Sequence, residues 1–325
     1  MNKHSFLTGL HFFLVFTAAA QHWEPMGTLP VEKGEHASFP EEGKIKIIGG
    51  IQNPMGGSPS ILSYSVSTNS WTHESTWDNY RHHITTNASV YGHEVWVCGG
   101  KPPSGDNNGL NDVWVYNKDT HTWREGPSLP ENHWGGPAVI VGNHLHVISG
   151  AKGARQVTDH HFVLDLTNEA AGWVSAPPIL KPVVHCAGVN FKDEIWIIGG
   201  EIAHTHIGDR AWVQIYNPVT HTWREGPDLP MARSHLEWST FAYNNKIYSF
   251  NGVDSSKPNG TRAQDEIFVY DPASNEWSLW GRTPHVSVSL SAIVIDGFVY
   301  LTGGGKSDWF DGTMKEVWRT SINTQ

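Results

Sequence analysis

Residue types suited to acid–base and metal chemistry recur in short, spaced groups along this chain. Glu201 is followed by His204-x-His206 and then by Asp209-Arg210. The segment "ARSHLE" offers Arg233, His235 and Glu237. Earlier come Arg81-His82-His83, Lys101, His133-Trp134 and His185. A poised carboxylate or imidazole can take a proton from one ligand oxygen and deliver one to another. A guanidinium can hold a carboxylate through two parallel hydrogen bonds. Three neutral imidazoles and a carboxylate suit Zn²⁺, Fe²⁺ or Mn²⁺. His185, His204, His206 and His235, joined by His133 or His82 and by Glu201 or Glu237, are therefore candidate ligands of a divalent metal. Glu74, Asp78 and His82 form a separate E-x3-D-x3-H run. These segments are far apart in sequence, so a site exists only if the fold brings them together.

The elements that would do so are repeated. "HTWREGPSLP" at 121–130 returns as "HTWREGPDLP" at 221–230, with changes only at Ser128 and Asp228. Six strand-like runs, "KIKIIGG", "EVWVCGG", "HLHVISG", "EIWIIGG", "KIYSFNG" and "FVYLTGG", end at Gly50, Gly100, Gly150, Gly200, Gly252 and Gly304. Trp23, Trp71, Trp123, Trp173, Trp223 and Trp277 recur in step. A period of about 50 with paired glycines predicts the blades of a β-propeller. Each unit then contains four antiparallel strands. In the second unit they begin near Ile84, run over Glu94–Cys98 and Asp112–Tyr116, and end on a strand carrying Trp123. The tryptophans are expected between neighbouring blades, and the glycines where the backbone bends and packs closely. The last unit runs out after its third strand, "EVWRTSIN". "HWEPMGTLP" at 22–30 carries the missing Trp and Leu-Pro, so the N-terminal strand should complete the last blade and leave no open sheet edge.

On these motifs the units resemble kelch repeats, and the resemblance covers nearly all of 21–325. It implies an all-β, six-bladed kelch propeller. Two units depart from the paired glycine, with Ser149 and Asn251 at the first position. Strand alternation sorts the loops between two faces. One face receives short Gly/Asn/Asp turns with His93, His121, His144 and His221, read as surface residues. The other receives the long loops between the second and third strands and the entries into each first strand. His36, His82, His83, His133, His185, His204, His206, His235 and His285 fall there, with Arg81, Arg155, Arg210, Arg233, Lys101, Lys152, Glu201, Glu237 and Trp134. Any one histidine is most simply structural. Recurrence at matching places in successive units points to a shared mouth.

Within the family, "GGEI" at 199–202 followed by Asp209-Arg210 is similar to the corresponding loop of exported sialate mutarotases. That similarity implies Glu201 as general acid/base and Arg210 as the group that holds a carboxylate or polarises a ring oxygen, with His206 beside them. Here "AHTH" is inserted between them, and Arg233 is an alternative clamp. Arg81, His83, Lys101, His133, Trp134, His185, Arg233, His235 and Glu237 are the expected ligand-binding residues. The function expected is recognition of a small carbohydrate or acidic-sugar ligand, with mutarotase or isomerase chemistry. The alternatives are a metal-dependent enzyme and a non-catalytic protein- or glycan-interaction module, in which Trp134, Trp309 and Phe310 would stack on a sugar. The E-x3-D-x3-H run resembles the iron motif of plant specifier kelch proteins. Galactose oxidase is also a kelch propeller, but its Tyr–Cys crosslink has no counterpart here, since Cys98 and Cys186 lie in different units.

Composition narrows the rest. "MNKHSFLTGLHFFLVFTAAA" has a lysine, an apolar stretch and a small-residue end, which predicts a signal peptide over 1–20 and a secreted or periplasmic protein. It is too short and wrongly flanked for a spanning helix, so no membrane span is expected. A formal net charge of −10 argues against nucleic acid as a partner. Cys98 and Cys186 lie in apolar runs and read as buried free thiols. "NAS" at 87–89 and "NGT" at 259–261 are glycosylation sequons, although Asn87 should fall in a strand.

Overall fold

The computed structural model describes residues 21–52, 56–84, 89–103, 108–203, 208–259, 261–307 and 312–323. The expected signal peptide, His204, His206, Asn87, Trp309 and Phe310 lie outside the described residues. Six four-stranded antiparallel sheets form the blades of a propeller. Their first strands are Ala37–Glu41, Val90–Tyr91, Ala138–Val141, Ala187–Phe191, Thr240–Tyr243 and Ser291–Ile295. These inner strands approach one another around the axis, while outer strands such as Ser70–Thr76 face solvent.

The apolar second strands explain why six units must close on themselves. In Glu194–Ile198, Ile195 and Ile197 enter a core shared with the third blade. Trp196 and Ile198, on the opposite face, enter a core shared with the fifth. Successive strand residues point to opposite sides, so a continuous apolar run is a strand buried on both faces. One such core fills each of the six blade–blade interfaces.

The N-terminal strand closes the last blade as expected, but it is only two residues long. Glu24 pairs with Arg319 and Pro25 with Trp318. The Arg319 guanidinium donates to the Glu24 carboxylate at 2.8 Å. Strand bounds in the second blade also differ slightly from expectation, with an inner strand at Val90–Tyr91 and a third at Val113–Asn117.

The periodic tryptophans border these interblade cores, and most tie one blade to the one before it. The indole N–H of Trp71 donates to Gly27 O, that of Trp173 to Pro127 O, that of Trp223 to Pro177 O and that of Trp277 to Pro227 O. Trp123 is different because its matching acceptor position holds Trp77, on which it stacks at 4.2 Å and 4°. The first glycine of each pair is left-handed. At Gly99 (φ 63°) a Cβ would lie 2.3 Å from His133 O. Where Ser149 takes that position it is also left-handed (φ 54°), and its hydroxyl donates to the carbonyls of Thr158 and Val183.

Candidate functional site

The mouth is built from a three-residue step that enters each inner strand. The steps are Lys33-Gly34-Glu35, Arg81-His82-His83, His133-Trp134-Gly135, Val183-Val184-His185, Arg233-Ser234-His235 and Ser287-Val288-Ser289. The middle residue bridges to the residue after the glycine pair, as His82 does to Lys101 and Val184 to Glu201. The third residue is left-handed every time: Glu35, His83, Gly135, His185, His235 and Ser289 have φ between 51° and 62°. Left-handed backbone is disfavoured for residues with a Cβ, so its recurrence here shows that the entry to each blade imposes this turn. These residues pass hydrogen bonds around the axis. His235 N–H donates to His185 O at 2.8 Å, His185 N–H to Gly135 O at 2.7 Å, Gly135 N–H to His83 O at 3.3 Å and Glu35 N–H to Ser289 O at 3.2 Å.

Their side chains gather at the axis. The His185 and His235 rings stack at 4.1 Å and 9°, and the His83 ring lies 5.2 Å from His185. Trp134 forms a wall, 5.4 Å from His83 and 5.9 Å from His185, and the Lys101 ammonium sits 3.6 Å above its ring. Glu35 Oε2 is 2.7 Å from His83 Nδ1 and 3.6 Å from His82 Nδ1. Glu237 Oε1 is 2.5 Å from His185 Nδ1. Glu201 is fully buried.

Burial and neighbouring charge set the protonation states. Burial pushes the Glu237 carboxyl well above the usual range; its own backbone N–H opposes this, and the carboxylates of Glu35 and Glu201 add to it. Burial also opposes charge on Glu35, but the charge and hydrogen bonds of His83 and His82 outweigh it and hold Glu35 well below the usual range. His83 is lowered to about 4, first by burial, with Glu35 opposing. Burial brings Lys101 down to about 8. The mouth thus holds one carboxyl raised by burial and another lowered by its histidines.

The first residue of each step goes elsewhere. Arg81 turns sideways, donates to both oxygens of Asp112 (2.6 and 2.9 Å) and caps Gly99 O. Arg233 pairs with Glu266 at 2.9 Å and lies 3.7 Å from Asp254. Lys33 donates to Gly49 O, Ser58 Oγ and Ser60 O. His133 contacts His160 at 3.1 Å, while His161 turns the other way, to His146. Arg81, Arg233 and His133 thus bond within their own blades, and His83, His185, His235, Glu237, Lys101 and Trp134 come together. Arg210 lies on the rim, donating to Gly208 O and Asp209 O and covering the Trp212 ring. The E-x3-D-x3-H residues do not converge: Glu74 pairs with Lys46 on the outer strand and Asp78 is exposed. Residue type alone does not single out Glu35, because the recurring histidine signal falls on its neighbour His36. His36 in fact sits below the mouth, 2.9 Å from Thr302 Oγ1. Aligning the six steps by their glycine pairs would have picked out Glu35.

Six closed blades with paired left-handed glycines and an axial mouth define a kelch-type β-propeller. The family model described as Attractin/LZTR1 beta-propeller matches residues 95–316, and the chain belongs to that family. Among similar proteins, a kelch repeat-containing protein of Arabidopsis thaliana is 24% identical over 329 residues, covering 92% of this chain and 76% of that one. Kelch-like protein 23 of Homo sapiens is 24% identical over 216 residues, covering 66% of this chain and 35% of its own length. The chain thus spans about a third of that relative. The solved structure of YjhT superposes with a TM-score of 0.74 at 14% identity, over 92% of this chain and 98% of the other, a likeness of fold.

Proposed function

We propose that the axial mouth binds a small polar ligand of the carbohydrate or acidic-sugar class and moves protons on it, as a mutarotase or isomerase does. The observation that carries this proposal is the buried contact between Glu237 and His185 at 2.5 Å, beside the stacked His235 ring. Burial raises the Glu237 carboxyl well above the usual range, so that it would share a proton with His185 Nδ1 across this contact. Mutarotation needs a proton removed from the anomeric hydroxyl and one delivered to the ring oxygen, and a carboxyl–imidazole pair suits that exchange. Lys101 at the mouth, with Arg155 and Arg210 towards the rim, would meet an acidic group on the ligand, and Trp134 would bound its apolar face. Glu201, buried beside this pair, keeps a part in setting its charge and remains a candidate acid/base. We further propose that the protein is exported, on the strength of residues 1–20. The test is proton-exchange NMR on anomers of a panel of neutral and acidic reducing sugars: catalysed interconversion supports the proposal, and rates equal to buffer across the panel reject it.

A second reading is a non-catalytic protein- or glycan-interaction module. The exposed rim favours it: Ile202 is 42% exposed directly after Glu201, with Arg155 exposed and Arg210 half-buried on the same face. In that case Arg210→Ala weakens partner capture, and Glu237→Gln does not.

A further inference from the structure

Three potential ligand atoms meet at one edge of the mouth. His82 Nδ1 and His83 Nδ1 are 2.5 Å apart. Glu35 Oε2 is 2.7 Å from His83 Nδ1 and 3.6 Å from His82 Nδ1. All three atoms lie within 4.8 Å of one another. Neutral imidazoles have one N–H each, so hydrogen bonding among these atoms is frustrated. If His82 Nδ1 donates to His83 Nδ1, that nitrogen carries a lone pair and no hydrogen to give Glu35, and two acceptors face each other. If His83 Nδ1 carries the hydrogen, that single hydrogen serves both a carboxylate and an imidazole nitrogen. A cation at the centre satisfies all three lone pairs at once. Donors about 2.1 Å from an ion and at right angles to each other stand about 3 Å apart, which is the scale of this triangle.

We propose that Glu35, His82 and His83 bind one divalent transition-metal ion of the Zn²⁺/Fe²⁺ class. Two imidazoles and one carboxylate on a single face are a donor set that such ions favour, and three protein ligands leave positions open to an exogenous oxygen ligand. The backbone supports the arrangement. The left-handed conformation of both Glu35 (φ 52°) and His83 (φ 51°) turns their side chains to the axis. His82 is fixed by its bridge to Lys101, with N–H to Lys101 O at 3.1 Å and Lys101 N–H to His82 O at 2.8 Å. Near the opposite face Glu41, Glu74 and His121 converge comparably. There Lys46 already stands between the carboxylates, 2.6 Å from Glu41 and bonded to Glu74. The Tyr116 hydroxyl holds His121 Nδ1 at 2.8 Å. That second group is occupied by the protein's own cation.

This inference deepens the proposal for the same mouth but does not depend on sugar turnover. A metal without anomer exchange would sink only the proton-transfer proposal, and exchange without a metal only this one. The test uses the full chain, expressed without a histidine tag, stripped with chelator and dialysed against Zn²⁺, or against Fe²⁺ without oxygen, with content read by elemental analysis. One ion per chain is expected. His82→Ala and Glu35→Gln should each weaken uptake by about a hundredfold or more in competition with a chromophoric chelator. His121→Asn should leave uptake unchanged. Substoichiometric uptake of both metals overturns the proposal, as does full uptake that survives His82→Ala. His82 is partly exposed, so its variant decides the matter if Glu35→Gln does not fold.

Discussion

The two ends of the propeller gather similar chemistry and use it differently. At the mouth, Glu35 meets His82 and His83; near the opposite face, Glu41 and Glu74 meet His121. The second group contains Lys46, fully buried and bonded to both carboxylates, and a tyrosine hydroxyl that fixes the histidine. Each charge there has a counter-charge or a hydrogen-bond partner. The first group instead sets two imidazoles against one carboxylate, beside a carboxyl that burial raises well above the usual range and a lysine brought down to about 8. The difference teaches that carboxylate and imidazole types do not define a site by themselves. What matters is whether the fold has already neutralised them.

The comparison can be broken at either end. The largest effect should come from Lys46→Met, which leaves the buried Glu41 carboxylate and the partly exposed Glu74 without their cation. A loss of about 3 kcal/mol in chemical denaturation is expected. By contrast, His82→Ala at the mouth should cost less than about 1 kcal/mol, because that side chain is partly exposed. Equal losses would erase the distinction.

Acid should also destabilise the blades. His133 and His146 are lowered to about 3 and His161 to about 4, all chiefly by burial. The unfolded chain takes up these protons near pH 6.5 and the folded chain does not. Stability is therefore complete above about pH 6.5 and lost as pH falls towards 3–4, by up to about 1.4 kcal/mol per pH unit per imidazole. Denaturation midpoints that stay flat between pH 6.5 and 4.5 would contradict this. Glu237 has the opposite sign. Its raised pKa makes the folded state hold a proton that the unfolded chain releases above about pH 4.3, so its cost grows with pH up to the folded value. Glu237→Gln should therefore stabilise the protein more at pH 7 than at pH 4, and a denaturation midpoint that shifts equally at both would contradict this. The smallest effect is expected for His121→Asn, under about 1 kcal/mol, since Asn tolerates the left-handed backbone (φ 56°) and one part-buried hydrogen bond is lost.

The fold was legible because its signal is periodic. A strand-ending glycine and a tryptophan in every unit set the blade count, and the Trp23 segment marked the closure. The mouth was legible only by face. Position alone could not tell Arg81 and Arg233, which turn into acid pairs within their own blades, from His83 and His235, which turn to the axis two residues on. That choice depends on which residue of each step is left-handed, and at most of these positions the residue is not glycine. Glu74, Asp78 and His82 had suggestive spacing, but the chain leaves an outer strand between them, so Glu74 and His82 end at different faces.

The most direct measurement sets the two ends side by side: anomer exchange by NMR with the intact chain, Glu237→Gln and His121→Asn, on the acidic and neutral sugar panel. The account predicts catalysed exchange on a member of the panel, unchanged by His121→Asn and reduced about a hundredfold by Glu237→Gln. Exchange no faster than buffer with the intact chain, or equal rates with Glu237→Gln, would contradict it.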